Sequence, residues 1–280
     1  MVPELRPVVS RAELKLLAGL CRRRERRASG LLLVEGATML CEALEAGLRP
    51  RLVAATTETH ERHAEPVARA VAAGAREVLL EPHQAARASD TEHGRGLLAA
   101  VEAPETWTDL WDKPWTARWP ADGPLLVPVL WGLQDPGNVG TLLRSARAFG
   151  AAGCLLATGS ADPQGPKAVR ASAGAAFHLP CGVVTEAAEL QQLARGRRAE
   201  LCVAVPPSPR DPADAQAVDG GGVVGLPSRC LLVLGHETRG VPSLTEARRL
   251  SLPQAPGVDS LNVGVAGSVL MADWFRAHPR

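Results

Sequence analysis

DPGNVGTLLRSARAFGA, residues 135–151, directly follows the apolar run Leu125 to Trp131 and has the spacing of a helix from about Val139 to Phe149. A buried strand that enters a helix through a short polar turn is the repeating unit of an α/β fold, and ligands gather at that end of a strand. Gly137 and Gly140 allow close approach of a backbone, and the unpaired amides at a helix start suit an anion. Arg144 and Arg147 lie three apart and share a helical side, next to Leu142 and Leu143. Taken alone, the segment reads either as a functional strand-to-helix turn or as a surface arginine pair on an ordinary helix.

The alternation extends both ways from this point. Downstream, strands are expected at Gly153 to Ala157, Gly182 to Val184, Leu201 to Val205, Cys230 to Leu234 and Arg249 to Leu252. Helices are expected at Lys167 to Gly174, Ala187 to Leu193 and Val263 to Trp274, with an exposed Gly/Pro-rich loop over Pro206 to Gly222. Upstream lies a smaller α/β pattern. It comprises a helix from Arg11 to Arg27, capped by Ser10 with Glu13 completing a capping box, a strand Leu31 to Val34, and a helix Ala37 to Ala46. Strands Arg51 to Ala55, Glu77 to Leu80 and Leu97 to Val101 and a helix Ala64 to Ala73 complete it. The expected division is therefore 1–103, a linker 104–124, and 125–280. The linker carries Trp107, Trp111, Trp115 and Trp119, interrupted by Pro114. These rings either pin the linker to a domain surface or form a base-stacking platform.

Several classes are excluded. No apolar run in the 280 residues approaches the roughly 20 needed to span a membrane. Met1 to Gly30 has no continuous apolar stretch and carries Glu4, Glu13 and Glu25, which argues against a secretory signal, so a cytoplasmic protein is expected. The six cysteines include no C-x-x-C pair and read as reduced core thiols, and the histidines show no metal-binding spacing. Gly220 to Gly225 fits a dinucleotide fingerprint by letter, but Leu226-Pro227 and a strand follow it where a helix is required. There is no nucleophile elbow and no P-loop. Net charge is only +1, yet Arg6, Arg11, Lys15, Arg22, Arg23, Arg24, Arg26 and Arg27 crowd the first 27 residues. That cluster suits either a phosphate backbone or a solvated helical face.

Two further strand-to-loop segments stand out: LVLGHETRG at 232–240, and LPQAPGVDSLNVGVAGS at 252–268, which enters a helix of small residues. Together with residues 135–151 and with DPQGPKAVRASAGAAFHLP at 162–180, their order and spacing resemble the SpoU-type (TrmH-like) RNA ribose 2′-O-methyltransferases of the SPOUT class. LLLVEGATMLCEALEAG at 31–47 and SDTEHGRGLLAAV at 89–101 resemble the small substrate-binding domain, similar to ribosomal protein L30e, that often precedes the catalytic one.

The resemblance implies an α/β SPOUT domain tied in a trefoil knot, working as a homodimer, with S-adenosyl-L-methionine as methyl donor and RNA as substrate. Ribosomal RNA is favoured over transfer RNA, and no metal or membrane is involved. It implies that the cofactor lies against Gly235, Leu252 and Leu261. Arg144 then matches the catalytic arginine, supplied across the dimer, and Asn138, Glu237, Ser260 and Asn262 match the polar residues that support it. A guanidinium is a poor proton acceptor, which favours a role for Arg144 in holding phosphate and stabilising charge on the 2′-oxygen, with Glu237 and Asn138 orienting it. The chain departs from the family pattern at His236, where asparagine is frequent, Thr238, where glycine is frequent, Gln254, where methionine is usual, and Gly264, where serine is common. A catalytically silent RNA-binding protein of the same fold and a base-nitrogen methylase are the competing readings.

Overall fold

Leu125–Trp131 forms the central strand of a seven-stranded parallel sheet and is buried except at its last residue. Cover on both faces explains why it reads as one apolar run and not as an alternation. The computed structural model describes residues 6–89, 96–104, 107–109, 119–206, 225–235, 241, 244, 246–255, 258 and 260–279. Two compact units result, Met1–Pro104 with Asp162–His178, and Glu105–Ala161 with Leu179–Arg280.

The first unit contains α1 (Arg11–Gly19), α2 (Arg23–Ser29), β1 (Leu31–Glu35), α3 (Ala37–Glu45), β2 (Pro50–Ala55), α4 (Thr57–Arg62), α5 (Ala64–Ala72), β3 (Arg76–Leu79), α6 (Pro82–Ala88) and β4 (Leu97–Glu102). Its sheet runs β1-β4-β2-β3, with β4 antiparallel to both neighbours and β2 parallel to β3. Leu17 and Leu20 pack with Leu33, Leu52, Val78 and Leu98 in its core. The capping box forms as the sequence suggests: Glu13 N donates to Ser10 Oγ at 3.2 Å, and Ser10 N donates to Glu13 Oε2 at 2.8 Å. Those bonds, and after them the Arg76 guanidinium, hold the Glu13 carboxyl below its ordinary value.

The continuous helix expected from Arg11 to Arg27 is broken. Arg22 is extended (φ −97°, ψ 132°), and the Arg26 guanidinium turns back to donate to the carbonyls of Leu20 (2.7 Å) and Cys21 (2.9 Å). Arg26 is buried and its other nitrogen meets Asp162 at 2.6 Å. The break therefore depends on a residue 136 positions away, which no local periodicity could reveal. Helices α4 and α6 have no counterpart in the expected pattern. No residue of α4 is buried, and α6 buries only Ala85 and Ala88, so neither shows an apolar stripe.

The chain continues through β5 (Trp107–Asp109), β6 (Leu125–Trp131), α7 (Pro136–Ala148) and β7 (Cys154–Ala157). Next come α8 (Pro166–Ala171) and α9 (Ala175–His178), which pack with the first unit although the sequence reading kept them within 125–280. Within that unit Arg170 pairs with the buried Glu35 at 3.3 Å, and positive φ at Ala173 (47°) and Gly174 (79°) ends α8 before the expected Gly174. Then follow β8 (Cys181–Val184), α10 (Ala187–Gly196), β9 (Glu200–Ala204), β10 (Arg229–Gly235), β11 (Arg248–Leu250) and α11 (Val263–Ala277). The order across the sheet is β11-β9-β10-β6-β7-β8-β5, and every pairing is parallel. All seven strands thus present their carboxyl ends at one edge.

Part of the expected linker is the edge strand β5, paired with β8. Trp119 is buried in the core of the second unit beneath the Arg197 guanidinium, 5.6 Å from its ring, so at this position the anchoring reading holds and no face is open to a base. Trp111, Trp115 and the side chain of Trp107 lie outside the described residues, as does most of the loop expected over 206–222. Arg229 fastens the end of the linker, donating to the carbonyls of Pro120, Gly123 and Arg197 at 2.7–3.2 Å. All six cysteines are free; Cys154, Cys181, Cys202 and Cys230 are core residues, whereas Cys21 and Cys41, also expected in the core, are only partly buried. Burial and then a bond with Cys154 push the Cys181 thiol well up, while a bond with Cys202 and then burial do the same for Cys230. Among the described residues no helix is long and apolar enough to cross a membrane, and no cluster of His, Cys, Asp and Glu could hold a metal ion.

Candidate active site

The crevice outside the carboxyl ends of an open parallel sheet, where successive connections leave in opposite directions, is the usual ligand site. Here that point lies between β6 and β10: the chain leaves β6 for β7 on one side, while β10 and β9 occupy the other. Gly235 and Trp131 are register partners at the two strand ends. Ser160 closes this end by donating from Oγ to the Leu130 carbonyl (2.9 Å) and accepting from Gly132 N (3.1 Å).

Helix α7 begins at Pro136, three residues earlier than its apolar spacing suggested, because Asp135 caps it. The Asp135 carboxylate accepts from Gly137 N (3.1 Å) and Asn138 N (3.3 Å), and proline at the first helical position has no amide to leave unpaired. Helix α11 is capped in the same way by Asn262, whose Oδ1 accepts from Gly264 N (2.9 Å) and Val265 N (3.3 Å). Those two bonds fix which end of the Asn262 amide faces outward. Its Nδ2 donates to Asn138 Oδ1 at 3.0 Å, tying the two helix starts together.

From this tie the helices run side by side in the same direction. A Cβ on Gly264 would lie 3.3 Å from Asn138 Oδ1 and 3.0 Å from Asn262 Oδ1, so glycine at this departure from the family pattern leaves room for the bond between the two asparagines. Ser145 and Ser268 share a hydrogen bond of 2.7 Å, and the Phe149 and Phe275 rings meet at a tilt of 48°, 6.2 Å between centroids. A Cβ on Gly267 would meet Leu142 Cδ2 at 2.5 Å and Leu234 Cδ1 at 2.7 Å, both fully buried. Gly267→Ala is therefore expected to lower stability by about 1–3 kcal/mol through overpacking, seen as a lower urea midpoint; an unchanged midpoint would mean that the helices part without cost. The paired N-termini direct two helix dipoles at the carboxyl edge of the sheet, a setting that favours negative charge.

The residues singled out in the sequence take the following places. Asn138 and Asn262 are joined. Gly235 ends β10, and Leu252 follows β11, whose Leu250 carbonyl accepts from Val205 N at 2.8 Å. Since β9 separates β10 from β11, these two strand ends lie about 10 Å apart along one edge. Leu261 immediately precedes the α11 cap and is partly exposed, and Ser260 is exposed beside it. Arg144 is exposed on α7, six residues or about 9 Å of rise beyond Asn138, and has no hydrogen bond or ion pair with a described residue. The expected orientation of Arg144 by Asn138 is not present: the Asn138 oxygen bonds Asn262 instead. Glu237 lies outside the described residues, together with His236 and Thr238. The sequence reading did not assign Asp135, Ser145, Ser160, Gly267 or Ser268; of these, only the Asp-Pro pair before a helix carries a local signal.

Residues 125–272 match the model of the SpoU rRNA Methylase family. The chain belongs to that family. Residues 11–99 match the MRM3-like substrate binding domain. The family relatives include an uncharacterized tRNA/rRNA methyltransferase of Mycobacterium tuberculosis, 31% identical over 92% of this chain and 78% of that protein. A 23S rRNA (uridine(2479)-2′-O)-methyltransferase of Streptomyces viridochromogenes is 31% identical over 51% of this chain and 49% of its own length. Among solved structures, an RNA 2′-O ribose methyltransferase superposes with a TM-score of 0.74 at 26% identity, covering 97% of this chain and 98% of the other.

Proposed function

We propose that this protein transfers the methyl group of S-adenosylmethionine to a ribose 2′-hydroxyl of RNA, with ribosomal RNA as the substrate class. The observation that carries the reading is the meeting of the α7 and α11 starts, tied by Asn138 and Asn262, at the carboxyl edge of the family's matched domain. The names of the Streptomyces relative and of the solved 2′-O ribose methyltransferase support the ribose oxygen as acceptor.

The residues at this edge fit the cofactor. Gly235, Leu252 and Leu261 offer backbone and apolar surface, and the Gln254 carboxamide oxygen, two residues past Leu252, is buried with no hydrogen-bond partner among the described residues. When bound, S-adenosylmethionine supplies a methyl group on a positively charged sulfur, an electrophile that is already activated. The chain's own task is to hold the ribose oxygen in line and to stabilise the charge it acquires as its proton leaves. Arg144, exposed and unpaired among the described residues, is suited to grip the neighbouring phosphate with its forked donors and to offset that charge. Asn138 keeps its amide hydrogens for a substrate oxygen, and Ser260 and Glu237 belong to the same assignment.

A homodimer, with Arg144 supplied to the partner's site, accords with the exposed apolar strip Leu261, Val265 and Val269 at intervals of four. Residues 1–103 hold the RNA in this reading. The exposed Arg22, Arg23, Arg24 and Arg27 provide the positive surface, from which the buried Arg26 is withdrawn. The cytoplasm is the compartment that accords with it.

Incubation with ribosomal RNA and methyl-labelled S-adenosylmethionine, followed by nuclease digestion and mass spectrometry, tests the reading. A 2′-O-methylated nucleoside that keeps its label after base removal is expected. Label lost with the base would assign a base methylase, and no heat on calorimetric titration with the cofactor would favour the silent RNA-binding alternative.

A further inference from the structure

We infer that Gln254 reads the adenine of the bound cofactor, its carboxamide taking the 6-amino group and an adjacent ring nitrogen of the base. The inference rests on the S-adenosylmethionine site proposed above. Gln254 lies in the segment that leaves β11 at the carboxyl edge of the sheet, two residues past Leu252 and directly after Pro253. Its Oε1 is shielded from solvent and has no hydrogen-bond partner among the described residues.

Buried carbonyl oxygens in folded proteins are almost always paired, because removing one from water without a partner destabilises the fold. An orphan in the segment that leaves β11 at the carboxyl edge of the sheet therefore points to a partner that arrives with the ligand. The identity of the side chain narrows the choice. A carboxamide presents one acceptor and one donor side by side, and glutamine matches the amino hydrogen and ring nitrogen of adenine in just this two-bond fashion. On the N6/N7 edge of adenine the carboxamide meets one donor and one acceptor, whereas hypoxanthine presents two acceptors there, so neither orientation of the amide makes both bonds with it. A methionine here would offer only a weak sulfur acceptor and no donor, and a leucine neither.

Calorimetric titration of the full-length protein with S-adenosylhomocysteine and with S-inosylhomocysteine tests the assignment, since the second ligand carries an oxo group where the first carries the amine. The wild type is expected to bind the inosyl ligand about tenfold more weakly or worse. In Gln254→Met and Gln254→Leu, affinity for S-adenosylhomocysteine should fall about tenfold, and the gap between the two ligands should largely close. A purely structural role would weaken both ligands alike and leave their ratio unchanged, and an unchanged ratio in both variants would overturn the proposal while leaving the cofactor site standing. Failure of the wild type to bind S-adenosylhomocysteine would instead overturn the site itself, and the proposal with it.

Discussion

Arg144→Ala lowers the rate of methyl transfer by about 10²–10³-fold and leaves the affinity for S-adenosylhomocysteine unchanged. The size follows from removing a preorganised charge at the oxygen that becomes negative. The separation of the two readouts follows from position. Arg144 is exposed on α7 and bonds no described residue, so its removal disturbs neither the Asn138–Asn262 tie nor the Gly235 strand end. Stability should move by no more than about 0.5 kcal/mol, as for other unpaired surface positions. Arg144→Lys discriminates the roles. A lysine keeps the charge but loses the fork, so a variant that turns over at nearly the wild-type rate would show that two-point grip on a phosphate is unnecessary. Single-turnover kinetics with saturating RNA is the measurement.

Asp162→Ala should destabilise the protein by about 3–5 kcal/mol. The Arg26 side chain, only 3% exposed, has Asp162 as its charged partner at 2.6 Å, and Arg23 approaches the same carboxylate at 3.6 Å. Deleting the carboxylate strands a positive charge that cannot reach water without dismantling the turn between α1 and α2, because the same guanidinium holds the carbonyls of Leu20 and Cys21. Asp162→Asn should be milder, since its oxygen can still accept from Arg26. Urea unfolding followed by circular dichroism reads both, and a loss under about 1 kcal/mol for the alanine variant would show that the pair is solvated in the working protein. Arg26 stands within the basic run that suggested RNA binding, so this result also separates the arginines that build the fold from the exposed ones available to phosphate.

How far the residues speak for themselves depends on the distance over which each interaction acts. β6, β7, β8, β9 and β10 match the expected strands to within a residue or two, because cover on both faces of a parallel sheet forces unbroken apolar runs. The Ser10–Glu13 cap was legible for a similar reason, as its two bonds lie within one turn. In contrast, the break between α1 and α2, the inclusion of residues 162–178 in the first unit, and the edge strand β5 all rest on partners far along the chain.

The candidate site divides in the same way. The resemblance of the motifs to the family singled out Asn138, Arg144, Gly235 and Asn262 and implied a methyl donor, since a resemblance rests on residue type and order. Tertiary structure alone decided that Asn138 bonds Asn262 and not Arg144, that Gly264 and Gly267 are the positions at which α11 can approach α7 and β10, and that the Gln254 oxygen is buried without a partner among the described residues. Each of those is a relation between atoms brought together only by packing the helices on the sheet, and a linear pattern carries no term for it.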